Sequence, residues 1–197
     1  MLELVAFAVG GACVLALFAI MVVTFVSDVR LWPPGDDDRK FKLYVTFSRT
    51  FLLAFLATTA LDWGGSWLPV SGVARDAPGA LLLVAGVALL LKSGKDLGGD
   101  ATKGQVDELQ TDGLYRYSRN PQNLAYLVFF ASLAALSNST LVAALAAGAT
   151  AFMLLQAVVE EPWLREGYGE AYLAYRERVP RFVGLQSVTR AVATLRD

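Results

Sequence analysis

Residues 4–26 contain no charged side chain. A helix needs about 20 apolar residues to cross the hydrocarbon core of a bilayer, with a range of roughly 17–25. The run is too long for the core of a signal peptide and has no basic segment ahead of it, so it reads as a first membrane span. Apolar runs follow at 43–61, 78–91, 123–136 and 141–159. The second holds one charge, Arg49, and the third and fourth reach span length only when flanking polar residues are counted. Composition points the same way. Hydrophobic residues make up 55% and charged residues 18%, whereas soluble domains carry roughly 25% charge. Disorder is excluded on the same ground.

Basic residues alternate between the intervals. The first loop carries Arg30, Arg39, Lys40 and Lys42, the next only Arg75, and the third Lys92, Lys95, Lys103, Arg116 and Arg119. The turn at 137–140 carries none, and the tail carries Arg165, Arg176, Arg178, Arg181, Arg190 and Arg196. The positive-inside rule places the two long loops and the C-terminus in the cytoplasm and the N-terminus outside. The chain is therefore expected to be an all-α integral membrane protein, one domain over residues 1–197. Five spans are expected at about 4–26, 43–61, 78–92, 121–137 and 140–159, with a cytoplasmic segment at 105–121 and a C-terminal amphipathic helix and tail at 162–197. Arginine and alanine are abundant, which suggests a prokaryotic plasma membrane. The stretch 94–104 is rich in Gly and Asp and is expected to be irregular.

Histidine is absent and Cys13 is the single cysteine. This removes His-based triads, zinc sites and disulfide frameworks, and no metal is expected. The 17 Lys+Arg and 18 Asp+Glu give a net charge of -1, which argues against a nucleic-acid partner. The expected partners are the lipid bilayer and a lipophilic or small acceptor, and the oligomeric state stays open. Cys13, Met21 and Met153 read as packing residues.

Polar side chains gather in two places. Residues 105–121 run directly into the fourth span, with Asn120 where an N-cap belongs and Pro121 in the first turn. A helix start offers free N–H groups to an anion, and Arg119 adds a bidentate fork. The second place is Glu160 and Glu161 at the end of the fifth span. Adjacent helical residues point about 100° apart, so they are not a carboxylate dyad. A helix is expected from Pro162 to about Arg178, with Leu164, Tyr168, Tyr172 and Tyr175 on one face. It reads either as an interfacial helix or as the wall of a pocket. Arg49 either snorkels to the interface or serves a site inside the membrane.

These residues resemble a known family. Gly113-Leu114-Tyr115 followed by Arg119-Asn120-Pro121 resembles the G-x-Y-x-x-x-R-H-P element of isoprenylcysteine carboxyl methyltransferases and their phospholipid methyltransferase relatives. Glu160-Glu161, Leu164, Gly169, Tyr172, Tyr175 and Val179-Pro180-Arg181-Phe182 resemble the second element of that family. The resemblance covers roughly residues 109–182, and Asn120 stands where the family has His.

The resemblance implies an S-adenosylmethionine-dependent methyltransferase with its cofactor pocket on the cytoplasmic side of spans four and five. It assigns Leu109, Thr111, Gly113, Leu114 and Tyr115 to a wall around the cofactor, and Arg119, Asn120, Pro121 and Asn123 to its polar groups. Glu160 and Glu161 would face the amino group or ribose, while Tyr172, Tyr175 and Arg181 would close the site. Gln105 is added from polarity and position alone. Arg119, Asn120 and Glu160 are the expected catalytic residues, and Arg49 is expected to orient an anionic acceptor. The acceptor would be a prenylcysteine carboxylate, a lipid amine or a thiol. Methyl transfer needs alignment and dryness more than covalent catalysis, so a chain without His can perform it. Two other readings stay open: an NADPH-dependent sterol or ene reductase, and a membrane protein that keeps the fold without activity.

Overall fold

The computed structural model describes residues 1–70, 72–97 and 108–194, and all regular structure among them is helical. Helix α1 spans Leu2–Val26, α2 Asp38–Leu61, α3 Val73–Leu97, α4 Pro121–Ser137, α5 Thr140–Arg178 and α6 Leu185–Thr194. A 3-10 turn at Gly113–Arg116 precedes α4. Four helices, α1, α2, α3 and α5, are long and apolar enough to cross a membrane. α4 is apolar but has only 17 residues. At 1.5 Å per residue it measures about 26 Å, short of the ~30 Å hydrocarbon core.

Three boundaries differ from the sequence reading. α2 starts five residues before the apolar run because the Asp37 side chain caps it, accepting from the N–H groups of Arg39 and Lys40. α3 extends past both ends of its run, so the segment expected to be irregular is helical as far as Leu97. Its remainder lies outside the described residues. α5 does not end near residue 159 but runs through Pro162, and its one non-helical residue is Gly169, with φ 52° and ψ -130°. Neighbouring helices make an internal proline tolerable in a membrane bundle.

α1 packs chiefly on α2 and α3 chiefly on α4, and α5 joins the two pairs through α1 and α4. Phe51, Phe55 and Phe130 meet at the centre, with the Phe55 and Phe130 rings 4.8 Å apart. Cys13 and Met21 are buried in the core and Met153 packs against it. Large side chains such as Leu15, Leu53, Leu81 and Val84 stay exposed, an apolar surface far beyond what a soluble monomer presents.

At one end, Ser139 Oγ donates to Asp62 Oδ2 at 2.5 Å, and Leu68 N donates to Asn138 Oδ1 at 2.8 Å. The opposite end gathers the C-terminus of α1, the N-terminus of α2, the C-terminus of α3 and the N-terminus of α4. The polar residues singled out above lie there.

The α3–α4 contact depends on small residues. The buried residues of α3 are Gly79, Gly86 and Ser93, seven apart on one face. A Cβ on Gly86 would lie 3.0 Å from the Phe129 backbone nitrogen, and one on Gly79 would lie 2.9 Å from Leu136 Cγ. Such stripes let membrane helices approach closely. Gly86→Val is expected to cost about 1–3 kcal/mol by overpacking, read as a lower unfolding midpoint in detergent. Gly94→Val, where a Cβ meets nothing within 4 Å, should leave the midpoint near that of the parent chain.

Candidate functional site

The first wall is set by the loop after α1. Thr24 Oγ1 accepts from the N–H groups of Leu31 at 3.1 Å and Trp32 at 3.2 Å, folding the chain back on α1. Trp32 is thereby buried and stacks on Tyr44, centroids 3.7 Å apart. Its Nε1 donates to Glu160 Oε1 at 2.5 Å. Gln156 Nε2 donates to the same oxygen at 2.8 Å, and the Tyr44 hydroxyl donates to Gln156 Oε1 at 3.1 Å. Both donors to Glu160 reach Oε1, so Oε2 receives no hydrogen bond from these partners.

The second wall is the 3-10 turn. Gly113 has φ 58°, and a Cβ there would lie 2.3 Å from Asp96 Oδ2. That close approach lets Asp96 accept from Leu114 N at 3.0 Å while it pairs with Lys92. Tyr115 is buried beneath the turn, which pushes its hydroxyl pKa up. The Tyr175 hydroxyl donates to the Tyr115 carbonyl at 2.7 Å, joining the turn to the end of α5.

The third wall is an ionic cluster. Arg119 Nη1 donates to Glu161 Oε1 and to the Tyr172 hydroxyl, both at 2.8 Å, and its Nε donates to the Val179 carbonyl at 3.0 Å. Arg181 grips both oxygens of Glu161 at 2.7 and 2.9 Å. These bonds hold the Arg181 guanidinium above its already high ordinary pKa. Asn120 occupies the N-cap position of α4 and Pro121 the first turn, but the expected side-chain cap is not made. Asn120 Nδ2 donates to the Arg181 carbonyl at 3.0 Å instead. The first turn of α4 therefore keeps backbone N–H groups that no cap residue takes up.

Nine expected residues line one cavity: Leu109, Tyr115, Arg119, Asn120, Asn123, Glu160, Glu161, Tyr172 and Tyr175. Thr111, Gly113, Leu114, Pro121 and Arg181 do not line it; of these, Leu114 is held by the Asp96 cap and Arg181 holds Glu161. Gln105 lies outside the described residues. Sequence reasoning missed Trp32, Gln122, Gln156, Trp163 and other lining residues. A second cavity runs between α1, α2, α4 and α5 and includes Tyr44, Ser48, Arg49, Tyr126 and Phe130. The two cavities share Trp32, Gln122, Asn123 and Gln156. Among the described residues, no group of three or more His, Cys, Asp or Glu is placed to hold a metal.

Gly169 turns the last part of α5 so that Tyr172, Tyr175 and Val179 pack with Leu109, Leu164 and Tyr168. The single face expected for the four aromatic and leucine positions is broken at this residue, yet they converge. Its backbone conformation lies where side chains are strained by about 1–3 kcal/mol. Gly169→Ala is expected to loosen this wall, read as faster amide exchange at residues 170–178 with exchange in α1 and α2 unchanged.

The phospholipid methyltransferase family model matches residues 74–171. Over that segment, just under half of the chain, the sequence matches the phospholipid methyltransferase family. The match runs from α3 through the 3-10 turn and α4 into α5, and it includes Arg119, Asn120, Glu160 and Glu161. It stops before Tyr172, Tyr175 and Arg181, and it leaves out Trp32, Tyr44 and Arg49. The match to this methyltransferase family, together with the apolar helices, marks the chain as an integral membrane protein. No curated protein and no solved structure matches it.

Proposed function

We propose that this protein is an S-adenosylmethionine-dependent methyltransferase acting on a lipophilic acceptor, with α4 as a fifth crossing and the site facing the cytoplasm of a prokaryotic cell. One observation carries the reading: Glu160 Oε2, left without a partner by Trp32 and Gln156, and the uncapped start of α4 belong to the same cavity. The cofactor has a carboxylate, an ammonium and a sulfonium. Backbone N–H groups at a helix start suit the carboxylate, and an unmatched carboxylate oxygen suits a cationic group. The donor set therefore fits. The cofactor, when bound, supplies an activated methyl group.

The chain's own residues orient, dry and separate. Arg119 fixes Tyr172 and Val179, and Asn120 fixes Arg181, so both act as positioning residues. Tyr168, Tyr172 and Trp163 line the cavity as an aromatic wall that would limit water around a bound cofactor. Glu161 is committed to two arginines, which leaves Glu160 and Glu108 as the wall carboxylates able to accept a proton from an amine acceptor. A carboxylate or thiolate acceptor has none to lose. The second cavity is the acceptor's place, and Arg49 on its wall would hold the acceptor's anionic group.

The test is a calorimetric titration of the detergent-solubilised protein with S-adenosylmethionine and, separately, NADPH. Saturable binding of the first alone is expected. Binding of NADPH alone would replace methyl transfer with hydride transfer. In turnover assays, Arg49→Gln is expected to raise KM for an anionic acceptor roughly 10- to 100-fold, the worth of a charged hydrogen bond. Cofactor affinity should not change. An unchanged KM would remove Arg49 from the acceptor site.

A further inference from the structure

We propose that α6 is a membrane-surface helix whose apolar face lies in the lipid headgroup region and whose polar face braces the roof of the site. The helix is built the reverse way from one that packs on a protein core. Leu185, Val188 and Val192 recur at spacings of three and four, and they are 88%, 56% and 42% exposed. Val183, just ahead of the helix, is 67% exposed. The opposite face makes the contacts to the rest of the chain. Ser187 is buried, and its hydroxyl donates to the Tyr117 carbonyl at 2.5 Å. Arg190 donates to the carbonyls of Arg116 at 2.8 Å and Arg178 at 3.0 Å.

An apolar face turned outward needs an apolar cover, and the position of α6 says which. Its anchors, residues 116 and 117, lie five and four positions before Pro121, the first residue of α4. α4 is about 26 Å long at 1.5 Å per residue, so a helix that crosses starts at or just inside the hydrocarbon boundary. α6 is thus tied to the depth at which headgroups lie. An amphipathic helix there lies in the interface plane with its apolar side down. Exposed arginines on adjoining elements, Arg176 and Arg178, suit anionic headgroups. Because the anchored carbonyls belong to the 3-10 turn segment and to the end of α5, seating α6 in lipid holds the second and third walls of the cavity. The inference rests on α4 as the proposed fifth crossing and not on the proposed reaction.

The test uses the full chain with Val188→Cys or Gln186→Cys, each labelled with an environment-sensitive fluorophore. Cys13 is buried, and the unsubstituted chain gives the labelling background. The protein is reconstituted into phosphatidylcholine/phosphatidylglycerol vesicles with or without bromine high on the acyl chains. An interfacial helix buries its apolar face about 5–10 Å, so the 188 probe should lose roughly half or more of its emission and the 186 probe little. Val192→Cys should repeat the 188 result, which guards against one variant that misfolds. Equal quenching at 186 and 188, or none at either, would overturn the proposal. So would a 188 signal that is insensitive to bromine and shifts with protein concentration, which would mean that a second copy covers the face.

Discussion

Glu161→Ala is expected to destabilise the protein by up to about 3 kcal/mol, the low end of what removing one partner of a buried ion pair costs, because the Arg119–Glu161 pair is largely but not fully buried. Arg181→Ala should cost about 1 kcal/mol or less, as for exposed pairs. The asymmetry follows from burial. The Arg119 side chain is 9% exposed and that of Glu161 15%, whereas Arg181 is 39% exposed. Deleting Glu161 leaves the Arg119 guanidinium buried with only the Tyr172 hydroxyl and the Val179 carbonyl. Deleting Arg181 leaves Glu161 paired with Arg119. Thermal unfolding in one detergent separates the two cases. Similar small losses for both variants would show that Arg119 reaches water when unpaired, and the cluster would then not be what holds the end of α5 to the start of α4.

The four long apolar helices were legible because a bilayer imposes length and removes charge, and residues 4–26 and 141–159 satisfy both conditions without help from context. The ends were less legible. Asp37 looks like one member of an acidic patch, and only its bonds to the backbone of α2 reveal a cap. Pro162 reads as a helix start, yet α5 runs through it. Asp96 sat in a stretch that composition marked as irregular, although it organises the 3-10 turn. The motif residues Arg119, Glu160 and Glu161 could be picked out because polar groups beside apolar runs are costly and so stand out. Trp32, Tyr44 and Gln156 could not. Their chemistry arises from contacts more than a hundred residues apart in sequence, and each alone resembles an ordinary interfacial or helical residue. Asn120 illustrates the reverse error. Its position is that of a cap, but the Arg181 carbonyl competes for its side chain and wins.

Glu160→Gln is expected to lower affinity for S-adenosylmethionine roughly 30- to several-thousand-fold, the 2–5 kcal/mol lost when one side of a buried charged contact is truncated. The unfolding midpoint should barely move. The substitution discriminates because it keeps what the protein itself uses. The amide oxygen of glutamine can still accept from Trp32 Nε1 and Gln156 Nε2, so the wall and the Trp32–Tyr44 stack persist. Only the charge is lost, and the unmatched Oε2 becomes an N–H donor, which repels a cationic group. Glu160→Ala is less informative, since it strips both donors of their acceptor and disturbs the fold as well. The pair of measurements, affinity by calorimetry and midpoint by thermal unfolding, therefore assigns the residue. Lost affinity at an unchanged midpoint makes Glu160 the anchor for the cofactor's positive charge. Unchanged affinity would confine it to bracing Trp32 and Gln156, and the cationic end of the cofactor would have to be held elsewhere in the cavity, where Glu108 is the carboxylate on the wall besides Glu160 and the arginine-paired Glu161.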